Sequence, residues 1–126
     1  MIYGIGTDII HVNRIKVLSD DYSDPFYRKV FTPAEYEEAV ARPQPFMRFC
    51  TIFAAKEAIY KALNADGSIS NLDFSSIEIL SDKQTGAPIV RLFGDFARHA
   101  AKNSLIVKVS VSYDGDYAVA LAICEN

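Results

Sequence analysis

Residues 46–63, FMRFCTIFAAKEAIYKAL, decide how this chain is read. The run is long, apolar on most sides and built from good helix formers. It predicts a helix at the centre of the core or of an oligomer interface. Asn64-Ala65-Asp66-Gly67 ends it. Upstream, Thr32-Pro33-Ala34-Glu35 carries the marks of a helix start: Thr32 caps, Pro33 suits the first helical position and Glu35 completes a capping box. Pro43 and Pro45 stop that helix. Residues 2–10, IYGIGTDII, read as a buried strand interrupted by two glycines. A helix over 12–18 follows, with Val12, Ile15 and Leu18 on one side. Downstream the period changes to two. SIEIL (76–80) and PIVRLF (88–93) flank a hairpin loop at 82–86, and residues 95–103 predict a short amphipathic helix. The segments 105–112 and 116–123 flank Tyr113-Asp114-Gly115, a tight-turn signal. The expected fold class is α+β, an N-terminal strand and helices followed by a mostly antiparallel sheet, in one domain spanning residues 1–126.

Composition narrows the function classes. Half of the 126 residues are hydrophobic and 12% aromatic, enough for a packed core rather than disorder. Thirteen basic residues against sixteen acidic ones give a net charge of −3, so no global basic footprint points to nucleic acid. No apolar run reaches the roughly 18 residues of a membrane span. The first residues lack the pattern of an export signal, and the two cysteines, Cys50 and Cys124, fit no metal or disulfide framework. These features set the expectation of a cytoplasmic protein. His11 and His99 have no partner at zinc-ligand spacing, and no P-loop, dinucleotide fingerprint or Gly-x-Ser-x-Gly elbow is present.

Three places carry polar residues that the fold alone does not ask for. Asp8 follows Gly4-Ile5-Gly6, where glycines allow close approach of a backbone or ligand; it caps the next helix or serves a site. Glu57 and Lys61 lie four apart inside the apolar helix. Such a pair is either a solvent-facing ion pair or a set of charges that need a metal or phosphate as partner. Ser110-Val111-Ser112-Tyr113-Asp114 brings a strand into its turn, either as outward strand and turn residues or as donors to an anion.

These segments together resemble the holo-acyl-carrier-protein synthases, the small single-domain 4′-phosphopantetheinyl transferases. The resemblance is carried by Gly4-Ile5-Gly6-Thr7-Asp8-Ile9 with Arg14, by Phe31-Thr32-x-x-Glu35, and most specifically by Phe53-Ala54-Ala55-Lys56-Glu57-Ala58-x-x-Lys61-Ala62. Thr85-Gly86-x-Pro88-x-Val90-x-Leu92, Ser110-Val111-Ser112 and Asp116-Tyr117-Ala118-Val119-Ala120 extend it over nearly the whole chain. The resemblance implies that a serine of an apo acyl carrier protein attacks the β-phosphate of coenzyme A. Phosphopantetheine is transferred and adenosine 3′,5′-bisphosphate leaves. It implies Mg²⁺ held by Asp8 and Glu57, and Glu57 or a water on the metal as base. Lys61 falls on the phosphates, and Arg48, Ser112, Tyr113 and Asp114 fall in the coenzyme-binding region. Glu35 falls near the metal or serves only its capping box. Arg14, with Arg28 and Lys29, faces the carrier or forms a solvated basic face. It further implies a homotrimer with active sites between neighbouring subunits, in fatty-acid or secondary-metabolite biosynthesis.

The chain departs from the family pattern at three points. Tyr113 stands where the family places histidine after Ser-x-Ser, and its hydroxyl, with a reference pKa of about 10, is a poor base near neutrality. Ile52 stands where the family has arginine, with Arg48 one turn earlier as a substitute. Asn64-Ala65-Asp66-Gly67 replaces a glycine-rich segment. Two other functions compatible with these residues are a module that binds coenzyme A or carrier without turnover, and a two-carboxylate metal-dependent phosphohydrolase.

Overall fold

The structure is a computed structural model and describes residues 1–18 and 21–126. Its centre is the helix expected from residues 46–63, α4 (Pro45–Leu63), which is buried along most of its length. Around it come β1 (Ile2–His11), α1 (Asn13–Leu18), α2 (Pro25–Val30) and α3 (Pro33–Val40). After it come a 3-10 turn (Phe74–Ser76), β2 (Ile77–Ser81), β3 (Pro88–Leu92), α5 (Gly94–Lys102), β4 (Ile106–Asp114) and β5 (Tyr117–Glu125). β1, β5 and β4 form one antiparallel sheet in that spatial order, and β2 and β3 form a separate hairpin. The α+β architecture is therefore as the sequence predicts. Among the described residues no helix is long and apolar enough to cross a membrane.

Local chemistry accounts for the elements. Thr32 and Glu35 make the reciprocal capping box: the Glu35 amide donates to Thr32 Oγ1 at 3.2 Å, and the Thr32 amide donates to Glu35 Oε1 at 2.9 Å. The helix α2 lies in a segment without clear periodicity. Asp24, whose side chain accepts from the Phe26 amide, and Pro25 start it, so the Asp-Pro pair was the readable signal. Tyr27, Phe31, Phe49 and Tyr22 pack as one aromatic cluster that seats α2 and the start of α3 on α4. Val12 and Ile15 are buried as expected, whereas the reading of Leu18 lies outside the described side chains.

Three readings need correction. The strand at residues 2–10 is buried on one face only: Gly4, Gly6 and Ile10 face α4, while Ile5 and Ile9 are exposed. It also runs past Asp8 to His11, so Asp8 sits within the strand, remote from the cap of α1. The last hairpin turns at Gly115-Asp116, with Asp114 paired to Tyr117, because Gly115 takes the positive φ of 58° at the first turn position.

Gly4 and Gly6 bring β1 hard against α4. A β-carbon on Gly4 would collide with the Ala62 carbonyl, and one on Gly6 with the Ala58 carbonyl. Both obstacles are helix backbone and cannot rotate away. We predict that Gly6→Ala destabilises the fold by about 1–3 kcal/mol, the range for overpacking a dense core. Urea denaturation followed by circular dichroism measures this.

Candidate active site

Two polar clusters flank α4. In the first, the β1–α4 contact sets Asp8 beside the last two turns of the helix. Lys61 Nζ lies 3.6 Å from Asp8 Oδ1 and donates to the Thr7 carbonyl at 2.9 Å. Lys61 thus turns toward β1, and the simple solvent-facing Glu57–Lys61 pair is not what forms. Asp8 keeps only 16% of its side-chain surface, and its Oδ2 is buried without a hydrogen-bond partner. Burial pushes the Asp8 carboxyl up, with Lys61 and Arg14 opposing. Burial and then the Asp8 charge push the Glu57 carboxyl up, again against Lys61 and Arg14. Arg14 therefore acts on this cluster electrostatically as well as lying on the helix expected to face a carrier.

The donor set fits a small, hard divalent cation. Two carboxylates repel each other, one oxygen lacks any partner, and among the described residues no third ligating group joins them. Mg²⁺ takes few protein carboxylates and keeps several waters, so Asp8 and Glu57 are the residues that could hold it.

The second cluster is a groove of about 520 Å³ on the other flank of α4, where Arg48, Ser112 and Tyr113 meet Arg42 and Gly86. Arg48 is 91% buried and donates to Glu38 Oε1 at 2.6 Å. Asp114 does not line this groove; it pairs with Tyr117 at the exposed end of the hairpin. Glu38 and Arg42 were missed in the sequence, although their i,i+4 spacing at the end of α3 was a visible sign of a paired face. Glu35 belongs to neither cluster. It forms a fully buried ion pair with Lys56 at 2.8 Å and accepts from the Ile79 amide, so its part is structural.

Helix geometry explains why the clusters stay apart. Arg48 and Glu57 are nine positions apart, which is half a turn in phase and about 14 Å along the axis. The sheet repeats the separation. Asp8, Ala120 and Val111 form one row on the helix-facing side, while Ile9, Val119 and Ser112 form the next row on the outer side. β1 and β4 are opposite edges, about 10 Å apart. The outer side is strongly apolar: Ile5 is 59% exposed, Ile9 61% and Leu121 43%.

The comparisons with known proteins agree with this architecture. A family profile described as the 4′-phosphopantetheinyl transferase superfamily matches residues 4–122. A holo-[acyl-carrier-protein] synthase of Desulforudis audaxviator is 39% identical over 98% of this chain and 92% of its own length. The crystal structure of holo-[acyl-carrier-protein] synthase from Neisseria meningitidis superposes with a TM-score of 0.85 at 30% identity, covering 100% of both chains. A Chronobacterium ammoniagenes structure described as a complex with CoA superposes at 0.81, with 27% identity, over 96% of this chain and 95% of that one. The chain belongs to the 4′-phosphopantetheinyl transferase superfamily. Within it, the full-length relatives are the holo-[acyl-carrier-protein] synthases, and this chain is an enzyme of that type.

A carboxylate pair raised by burial favours its protonated form in the folded state. Its contribution to stability is present at low pH and lost as pH rises through the raised pKa values. A bound divalent cation offsets that loss. We predict that Mg²⁺ raises the Tm at pH 7.5, that the increment shrinks toward pH 5, and that Glu57→Gln abolishes it. Differential scanning calorimetry measures all three.

Proposed function

We propose that this enzyme transfers 4′-phosphopantetheine from coenzyme A to a serine of an apo acyl carrier protein, with Mg²⁺ held by Asp8 and Glu57. The observation that carries the reading is the Asp8–Glu57–Lys61 cluster, with its partnerless buried oxygen, in a chain similar over its full length to holo-[acyl-carrier-protein] synthases. Solved relatives described as CoA complexes supply the coenzyme class. When bound, Mg²⁺ neutralises pyrophosphate charge. The serine oxygen forms a bond to the β-phosphorus, and the bond from that phosphorus to the bridging pyrophosphate oxygen breaks. Glu57, raised in pKa, accepts the serine proton. The bridging oxygen leaves on adenosine 3′,5′-bisphosphate, and the half-exposed ammonium of Lys61 meets its charge. Arg14, Arg28 and Lys29 offer cations to an acidic carrier. The setting is cytoplasmic fatty-acid or secondary-metabolite biosynthesis.

The coenzyme site is shared between copies of a homotrimer. Carboxylates and arginine groove lie on opposite flanks of one helix, so one coenzyme reaches both only if a neighbouring copy supplies the second. The exposed apolar face of the sheet provides a surface for that association.

Intact-mass spectrometry of an apo carrier incubated with the enzyme, coenzyme A and Mg²⁺ tests the reaction. A gain of one phosphopantetheine is expected, and none with EDTA. Glu57→Gln should lower the rate at least about a hundredfold, the scale of a lost general base. Coenzyme binding without any product across several carriers would overturn the transferase reading in favour of a binding module. For the shared site, sedimentation equilibrium should give three times the chain mass, and Leu121→Glu should give monomers without transfer activity. Coexpressed Glu57→Gln and Arg48→Gln chains should regain transfer that neither variant shows alone, because mixed trimers contain some intact composite sites.

A further inference from the structure

The groove on the Arg48 flank has an unbalanced charge arrangement that takes no part in the bond making and breaking assigned to the Asp8–Glu57–Lys61 cluster. Arg48 is 91% buried, yet its Nε has no acceptor. Its terminal nitrogen donates to Glu38 Oε1 at 2.6 Å, and Arg42 approaches the same oxygen at 3.3 Å while donating to Ser81 Oγ at 3.0 Å. Glu38 Oε2 is itself engaged by the Ser81 amide at 3.1 Å. One carboxylate thus serves two guanidiniums. Buried guanidinium groups normally place their donors fully, and with two guanidiniums on one carboxylate this groove retains positive charge.

An anion with several oxygens completes such a site, and a phosphate monoester matches paired guanidiniums best. Coenzyme A carries two kinds of phosphate. The transfer requires the pyrophosphate at the Asp8–Glu57 cluster, which leaves the ribose phosphate monoester for the groove on the opposite flank. That monoester departs with the leaving group, adenosine 3′,5′-bisphosphate. A groove that held it with two unopposed arginines would retain the product.

We infer that Glu38 sets the grip of this groove on the phosphate monoester, holding Arg42 and Arg48 together while withholding part of their charge so that product is released. The inference rests on the reading of the chain as a coenzyme A-dependent transferase. Glu38 is a positioning residue, since it acts through the two arginines.

Isothermal titration calorimetry with adenosine 3′,5′-bisphosphate and adenosine 5′-monophosphate tests the inference without carrier or metal. Glu38→Gln should bind the bisphosphate at least about fivefold tighter, on the scale of ordinary coupling between neighbouring groups. Its affinity for the monophosphate should stay within about twofold on the same scale. In transfer assays the same variant should show a lower KM for coenzyme A together with a lower kcat. Unchanged or weaker bisphosphate binding overturns the inference, because a role in packing alone would weaken both nucleotides together. Arg42→Met, at the exposed rim, carries the test independently of the buried pair. With one guanidinium gone, Glu38 neutralises the other and the preference for bisphosphate over monophosphate should disappear; its persistence overturns the inference. Transfer by the wild type without tightening in Glu38→Gln fails this proposal alone. Tightening without any transfer by the wild type fails the transferase reading and supports the anion site.

Discussion

The close approach of β1 to α4 is the constraint on which the rest depends. Two glycines in the strand face Ala58 and Ala62 in the helix, and neither side has room for another carbon. Only at that spacing does Asp8, next in line on the same strand face, fall beside the turn that carries Lys61 and within electrostatic reach of Glu57. The glycines thus fix the distance between two carboxylates that water would otherwise keep apart. The result is a strained electrostatic arrangement, with both carboxyls raised and one oxygen unpartnered, held in place by apolar packing rather than by its own attractions.

The adjacent Lys56 shows how the same helix divides its charges. One residue is 100° of helix, so Lys56 points away from Glu57 and into the interface with α3 and β2. There it is fully buried, paired with Glu35 at 2.8 Å and donating to the Phe74 carbonyl at 2.6 Å and the Ile77 carbonyl at 2.5 Å. Thr32 Oγ1, which caps α3, also donates to Glu78 on β2. Removing one member of such a network strands a charge in the core, which costs far more than a surface pair. Lys56 therefore fixes the rotation of α4, and through it the direction of Glu57 and Lys61. The capping box at Thr32 is part of the same lock, since Glu35 serves the cap and the ion pair together.

Legibility in the sequence followed how local the cause was. The cap at Thr32, the run of α4 and the two hairpins depend on neighbouring residues, and each was readable. The half-exposure of β1 was not, because Ile5 and Ile9 look like core residues until the sheet is known to have only one covered face. The turn at Gly115 shifted by one residue because Asp-Gly and Gly-Asp both signal a tight turn, and register across β4 and β5 chose between them. In the carboxylate cluster, Asp8, Glu57 and Lys61 were visible as charges in apolar surroundings. Their actual pairing was not, since spacing favours Glu57 with Lys61 while the fold offers Lys61 the nearer Asp8 and Thr7. The i,i+4 spacing of Glu38 and Arg42 was visible, but the pairing of Glu38 with Arg48 was not, because Arg48 comes from another helix.

The departures from the family pattern make physical sense on the flank of α4. Ile52 is almost completely buried at 1% exposure, so an arginine there would need its own buried counter-charge. Position 48 lies one turn earlier and only 40° away in phase, on the same flank. A cation at 48 reaches Glu38 on α3, which position 52 has no need to do. Arg48 thus puts a positive charge in the groove, with the Glu38 carboxylate beside it. Tyr113 is 59% exposed and lines the same groove, bringing a phenol hydroxyl where the pattern has an imidazole. Both changes act in one direction. They leave the groove less positive than arginine and histidine together would make it, while the Asp8–Glu57–Lys61 cluster on the other flank keeps its full set of charges.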